Sequence, residues 1–101
     1  MSDLSRFRAE QLNDPEFLEY YLDMKPSADI AKAIIGIRME RNLLQRDLAD
    51  LTGVHQADIS RLERGEGSPS LKTLKKIASG LGMAVKIELV PIETVLEELK
   101  E

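Results

Sequence analysis

The chain has 101 residues, 43% of them hydrophobic, and a net charge of −4, which is enough for one small domain with its own core. It contains no cysteine, which excludes disulfides, thiolate metal sites and thiol catalysis, and we expect a cytoplasmic protein. The start of the chain lacks the apolar segment of a signal peptide, and no apolar run approaches the ~18 residues that span a membrane.

Charge is unevenly distributed along the chain. Residues 1–28 carry three basic and six acidic side chains, residues 29–81 carry nine and seven, and residues 82–101 carry two and five. The mildly basic middle fits a surface that faces DNA, and the acidic ends fit a different, basic partner. A random fluctuation of solvated charge fits equally well.

The N-terminal part of the chain is predicted to form an amphipathic helix. Asp14 as N-cap and Pro15 as first helical residue are a helix-start signal. The helix is expected to end at Lys25-Pro26-Ser27, because a residue before proline is disfavoured in the α conformation, and a linker should follow. Aromatic residues occur only in this part of the chain, as Phe7, Phe17, Tyr20 and Tyr21. They either complete the core or anchor a partner protein, since aromatic side chains are enriched at interfaces.

Four helices are predicted in the middle of the chain, over about residues 29–41, 45–52, 56–64 and 71–80. Asp29 and Ser70 are the predicted N-caps of the first and the fourth. Asn42 and Gly53 can adopt the left-handed conformation that ends a helix. Apolar residues recur three or four positions apart in each helix, which predicts a compact bundle.

After residue 82 the pattern changes to a period of two. Three apolar residues alternate with Lys86 and Glu88, which predicts a half-buried strand over residues 83–89. A lone strand has no partner in the chain and exposes its edges, so we expect a homodimer through residues 83–99. Pro91 then opens a last amphipathic helix, which packs either on its own core or against a partner.

The second and third core helices have the spacing of a helix-turn-helix. This motif holds two short helices at a fixed angle, so that the second enters the major groove of DNA. It needs a small residue where the helices touch, a glycine-type turn and an apolar contact behind the turn. Ala49, Gly53 and Val54 occupy these places, and Ile59 and Leu62 follow as inward-facing residues.

The segment LLQRDLADLTGVHQADISRLERGEGSPSLKTLKKIASGLG resembles the phage-repressor and Cro-like (XRE) helix-turn-helix family, over about residues 29–82. The flanks, residues 8–17 and a strand ending in Val90-Pro91, are similar to HigA-type antitoxins of bacterial toxin–antitoxin pairs. The resemblance implies a mainly α, lambda-repressor-like bundle of about four core helices, with an N-terminal helix and a C-terminal strand plus helix. It implies an N-terminal amphipathic segment (1–28), a DNA-binding domain (29–82) and a C-terminal dimerisation or partner-binding part (83–101).

The same resemblance assigns residues to DNA. Gln45 would bond a phosphate at a helix N-terminus, where backbone N–H groups and the helix dipole favour anions. Gln56 can pair with adenine, and Arg61 can bind guanine in a bidentate manner. Arg38 and Glu63 match a family ion pair that ties the first core helix to the third, with Arg38 also near a phosphate. The full set assigned to DNA is Arg38, Gln45, His55, Gln56, Ala57, Ser60 and Arg61.

Three positions depart from the family pattern. Leu44 and His55 stand where Ser or Thr often caps a helix, and Ala57 can contact only a thymine methyl group. These departures affect how tightly DNA is bound and which bases are read, and they leave the fold prediction unchanged. His55 is an exposed turn residue or a phosphate contact, because no second metal ligand occurs near it at ligand spacing.

We predict a sequence-specific DNA-binding antitoxin and autorepressor. A homodimer would bind a palindromic double-stranded operator, and one end of the chain would hold a small basic ribonuclease toxin. The alternatives are a stand-alone XRE-family repressor with no toxin and a protein-interaction module without DNA binding. Catalysis is not predicted, because one histidine, no cysteine and no paired-carboxylate motif offer no set of acid, base and nucleophile. No cofactor, metal, membrane or small-molecule substrate is expected.

Overall fold

The computed structural model describes residues 13–99. These residues form five helices and no strand. The helices are α1 (Pro15–Glu40), α2 (Gln45–Thr52), α3 (Gln56–Glu63), α4 (Leu71–Gly80) and α5 (Ile92–Leu99). None of the five is both long enough and apolar enough to cross a membrane.

Helix α1 continues through Pro26, so the predicted helix end and linker at this point are wrong. Proline removes one helical N–H and disfavours the α conformation in the residue before it. Residues of good helix propensity on both sides offset this cost. Lys25 and Asp29 lie one turn apart, and their charged groups approach to 3.2 Å across the proline. Asp29, predicted as an N-cap, therefore lies inside the helix.

The structure divides into two compact parts. One consists of residues 24–86, and the other contains residues 13–23 and 87–99. The core of the first part is a cluster of buried apolar residues: Ile34, Leu48, Val54, Ile59, Leu62, Ile77 and Leu81. Leu48 of α2 and Ile59 of α3 are fully buried, so both helices of the predicted motif are anchored at the centre of this cluster. The predicted functional division at residues 28 and 82 stays a prediction.

The ends of the core helices follow the local signals in the sequence, and three predicted helix ends are confirmed. Gly53 has a φ of +74°, and its N–H donates to the carbonyl of Ala49 at 2.9 Å. Asn42 follows α1 with a φ of +55°. Ser70 caps α4, because its Oγ accepts a hydrogen bond from the N–H of Thr73 at 3.1 Å.

The predicted strand over residues 83–89 is absent, and residues 83–91 have no regular secondary structure. A strand is stabilised by hydrogen bonds to a neighbouring strand, and residues 13–99 of one chain provide no such neighbour. Large apolar side chains of this segment, including Ile87 and Leu89, are exposed. Helix α5 begins directly after Pro91, as predicted.

Candidate nucleic-acid interface

The turn between α2 and α3 is built from contacts around Gly53. The hydroxyl of Thr52 donates to the carbonyl of Leu48 at 2.7 Å and accepts from the N–H of Val54 at 3.3 Å. Val54 is buried behind the turn, and Ala49 packs half-buried against the core. One side chain therefore joins the end of α2 to the start of the turn, which fixes how α3 leaves α2.

Helix α4 supports α2 through a close backbone approach at Gly80. A Cβ atom on Gly80 would lie 2.7 Å from the carbonyl oxygen of Leu51 and 2.9 Å from the Cα of Thr52. Both are backbone atoms that cannot move aside alone, so only glycine fits at this position. The sequence shows Gly80 only as a plausible helix end, because the contact depends on how two distant helices pack.

Arg38 of α1 and Glu63 of α3 form the ion pair that the family resemblance implies. The Arg38 Nε and Nη2 donate to the two carboxylate oxygens of Glu63 at 2.8 and 2.7 Å, and Nη1 donates to the carbonyl of Leu43 at 3.0 Å. The hydrogen bonds that Arg38 donates to Glu63 raise the pKa of the Arg38 guanidinium above its ordinary value, against the lowering effect of desolvation. The pair therefore ties α1 to the C-terminal end of α3.

Side chains assigned to base reading lie outside the buried face of α3, which carries Ile59 and Leu62. The assigned residues on this helix are Gln56, Ala57, Ser60 and Arg61. Ser60 is half-buried and accepts a hydrogen bond from Nη1 of Arg64 at 2.6 Å. Arg61 is exposed and forms an ion pair with Asp58, one turn earlier. A ligand that binds Arg61 therefore competes with the carboxylate of Asp58.

At the starts of α2 and α3, the side chain of the N-cap residue accepts no hydrogen bond from the backbone N–H groups of the first turn. Leu44 makes no side-chain cap, although its own N–H donates to the carboxylate of Asp47 at 2.8 Å. His55 is exposed and makes no cap at the start of α3, and Gln45 is half-buried at the start of α2. Uncapped N–H groups at a helix start favour an anion such as phosphate.

No cluster of three His, Asp or Glu side chains suited to a metal occurs in residues 13–99.

Polar contacts hold the loop that follows α3. Nε of Arg64 donates to the carboxylate of Glu66 at 3.0 Å, and this hydrogen bond lowers the pKa of the Glu66 carboxyl. The hydroxyl of Ser27 in α1 donates to the carbonyl of Gly67 at 3.1 Å. These contacts position the loop next to the candidate recognition helix.

The aromatic residues predicted as partner anchors differ in exposure. The rings of Phe17 and Tyr21 stack with centroids 6.4 Å apart, and both residues are half-buried. Tyr20 is exposed. Phe7 lies outside the described residues. Among the aromatic residues that the structure describes, Tyr20 therefore offers the largest surface to a partner.

Two short helices joined at a glycine turn, with a polar outer face on the second, define a helix-turn-helix protein. The helix-turn-helix family HTH_3 matches residues 34–86. The chain is 31% identical over 86 residues to an uncharacterized HTH-type transcriptional regulator from Haemophilus influenzae, covering 85% of this chain and 84% of that protein. The chain therefore belongs to the HTH_3 (XRE-type) helix-turn-helix family, and the predicted resemblance is confirmed.

Two further relatives match a smaller share of their own length. Antitoxin HigA1 from Mycobacterium tuberculosis is 30% identical over 88 residues, which are 86% of this chain and 59% of the antitoxin. The crystal structure of an HTH_3 family transcriptional regulator from Vibrio cholerae matches with a TM-score of 0.59 and 42% identity. That match covers 61% of this chain and 35% of the crystallised chain.

Proposed function

We propose that the chain is a sequence-specific DNA-binding transcriptional regulator, with α3 as its recognition helix. The observation that carries this proposal is the outer face of α3, where Gln56 and Arg61 are exposed while Ile59 anchors the opposite face. A helix fixed in this way can enter the major groove, where Gln pairs with adenine and Arg with guanine. The membership of the HTH_3 family supports the same function.

Phosphate contacts would orient α3 in the groove. Gln45 and His55 lie at the uncapped starts of α2 and α3, where N–H groups and the helix dipole favour phosphate. Arg38 would act mainly by holding α1 against α3 through Glu63, with its remaining N–H groups available to a neighbouring phosphate. Ser60 and Ala57 would contact base edges, Ala57 only through a thymine methyl group.

Binding-site selection from random duplex DNA, followed by titration of the selected site, tests this function. Arg61→Ala should weaken operator binding by about 1–3 kcal/mol and relax the preference at one base pair per half-site. Gln45→Ala should weaken operator and random DNA by the same factor, as expected for a phosphate contact. Lys32→Ala, which removes one exposed positive charge of α1, is the control and should change neither.

Two outcomes would contradict parts of this proposal. An equal loss on operator and random DNA for Arg61→Ala would make Arg61 a phosphate contact and overturn its role in base reading. Failure to select any sequence would favour the protein-interaction module over the regulator.

A more specific function, antitoxin and autorepressor, is supported by the similarity to antitoxin HigA1 and by the surface of α1. Exposed Tyr20 lies among acidic residues at the start of this helix, namely Asp14 directly before it and Glu16, Glu19 and Asp23 within it. A ribonuclease toxin is basic where it binds RNA, so an acidic surface with an aromatic anchor complements it. In this function a homodimer binds a palindromic operator and also holds the toxin.

Co-purification with the protein encoded by the adjacent reading frame tests the antitoxin function. Tyr20→Ala should weaken toxin binding by at least about 2 kcal/mol while leaving the melting temperature and operator affinity unchanged. Phe17→Ala is the matched control, because this half-buried ring stacks on Tyr21 and its loss should lower the melting temperature. A neighbouring product that does not bind the chain would favour a stand-alone repressor.

A further inference from the structure

One guanidinium links the outer face of α3 to the loop that follows this helix. Nη1 of Arg64 donates to Oγ of Ser60 at 2.6 Å. Nε and Nη2 of Arg64 donate to the two carboxylate oxygens of Glu66 at 3.0 and 3.3 Å. Three different nitrogen atoms of Arg64 are therefore engaged, and the planar group is held in a defined position beside Ser60.

The backbone of the loop returns Glu66 to α3. The N–H of Glu66 donates to the carbonyl of Arg61 at 3.0 Å, and the N–H of Gly65 donates to the carbonyl of Leu62 at the same distance. The carboxylate that holds Arg64 is therefore fixed to the end of the candidate recognition helix by main-chain hydrogen bonds.

The contact with Arg64 decides how the Ser60 hydroxyl can be used. A guanidinium only donates, so Oγ of Ser60 is the acceptor in this contact. A hydroxyl in a helix often donates its proton to the carbonyl four residues earlier, as Thr52 does to Leu48. Within residues 13–99, the bond from Arg64 is the only hydrogen bond of the Ser60 side chain, so its proton has no acceptor inside this part of the chain.

The base edges of the major groove distinguish a donor from an acceptor. Guanine presents the acceptors O6 and N7, thymine presents the acceptor O4, and cytosine presents the amino donor N4. A hydroxyl that accepts from a charged group is polarised and donates more strongly. The same positive charge lies beside the remaining lone pair of Ser60 and disfavours the amino group of cytosine. Ser60 is therefore suited to guanine or thymine.

We propose that Arg64, held by Glu66, orients the Ser60 hydroxyl as a hydrogen-bond donor, so that one position of each half-site is guanine or thymine and not cytosine. Arg64 is a positioning residue here, because it acts on the base through Ser60. This role rests on the proposed regulator with α3 as its recognition helix. The carboxylate of Glu66 also offsets the charge of Arg64, which weakens any direct contact of this arginine with phosphate.

Binding-site selection with the full chain, followed by titration of the selected operator and its cytosine-substituted form, tests this role. Ser60→Ala identifies the position that Ser60 reads, and it should lower the preference for guanine or thymine over cytosine there about 3- to 10-fold, as for one lost hydrogen bond. Arg64→Met should lower the same preference by a similar factor. Lys32→Met, which removes an exposed positive charge of α1, is the matched control and should leave the preference unchanged.

Two further variants separate positioning from a phosphate contact. The double variant of Ser60→Ala and Arg64→Met should lose no more preference than Ser60→Ala alone, because Arg64 acts through Ser60. Glu66→Gln weakens the hold on Arg64 and should lower the same preference while raising affinity for random DNA, since the arginine becomes available to phosphates.

The role of Arg64 is overturned if Arg64→Met weakens operator and random DNA equally with the preference intact, or if its loss of preference adds to that of Ser60→Ala. Selection of cytosine at the position that Ser60 reads would overturn the donor orientation. If Ser60→Ala relaxes no position while Arg61→Ala does, Ser60 reads no base and the regulator function stands. If the original chain selects no sequence, both proposals are wrong.

Discussion

At the scale of single residues, Glu63 and Glu66 show how exposure decides what an ion pair contributes. Both carboxylates pair with an arginine, but the side chain of Glu63 is 6% exposed and that of Glu66 is 55% exposed. Solvent screens an exposed pair, so it adds little to stability. Removing one partner of a largely buried pair leaves the other charge without compensation.

We therefore expect Glu63→Gln to lower the free energy of unfolding by about 3 kcal/mol, the lower end of the range for buried pairs, because Arg38 is partly exposed. Glu66→Gln is the matched control and should lower it much less, because solvent screens the exposed pair. Urea unfolding followed by circular dichroism measures both values. Equal losses would mean that the Arg38 pair is not what joins α1 to α3.

The ion pair between Asp58 and Arg61 should reduce affinity for every DNA sequence. Arg61 must leave Asp58 before it contacts a base or a phosphate, and the carboxylate also repels phosphates. Asp58→Asn should therefore increase binding to random DNA because a repulsion is lost, and to the operator by more, up to about 1 kcal/mol, because Arg61 is also released for its base contact. Glu40→Gln, which removes an exposed charge at the end of α1, is the control for net charge. An equal effect of Asp58→Asn on the two DNAs would contradict the release of Arg61.

At the scale of helices, the two glycines of α1 and α4 should respond oppositely to alanine. A Cβ on Gly80 would meet the backbone of α2, so Gly80→Ala should lower the free energy of unfolding by about 1–3 kcal/mol. Gly36 has no such neighbour within 4 Å, so Gly36→Ala should raise it by about 0.5–1 kcal/mol through helix propensity. Thermal unfolding of both variants measures the difference. A stabilising Gly80→Ala would mean that α2 and α4 are farther apart than described.

The helices between residues 45 and 80 were predictable because their signals are local. Gly53 ends α2 with a positive φ, and Ser70 caps α4 with a side-chain hydrogen bond. Both effects act within four residues, so the sequence displays them directly. The outward position of Gln56 and Arg61 follows from helical spacing once the buried face is known.

The parts that sequence analysis missed depend on contacts between distant residues or between chains. Pro26 predicts a break in α1. The part of α1 after Pro26 is held against the core by the hydrogen bond from Ser27 to Gly67 and by the burial of Ile34. The alternation around Ile87 predicts a strand, but a strand needs a partner that one chain does not supply. Gly80 was missed because its neighbour in α2 is about thirty positions away in the sequence.

At the scale of the whole molecule, dimerisation should couple stability to protein concentration. Folded dimers separate on unfolding, so a ~100-fold rise in concentration should stabilise the folded state by about 2.7 kcal/mol and raise the melting temperature. Ile87→Lys places a charge in the exposed apolar segment through which we expect the homodimer to form, and it should remove this dependence. Scanning calorimetry over the concentration range measures both chains. A concentration-independent melting temperature for the original chain would exclude a dimer that forms with folding.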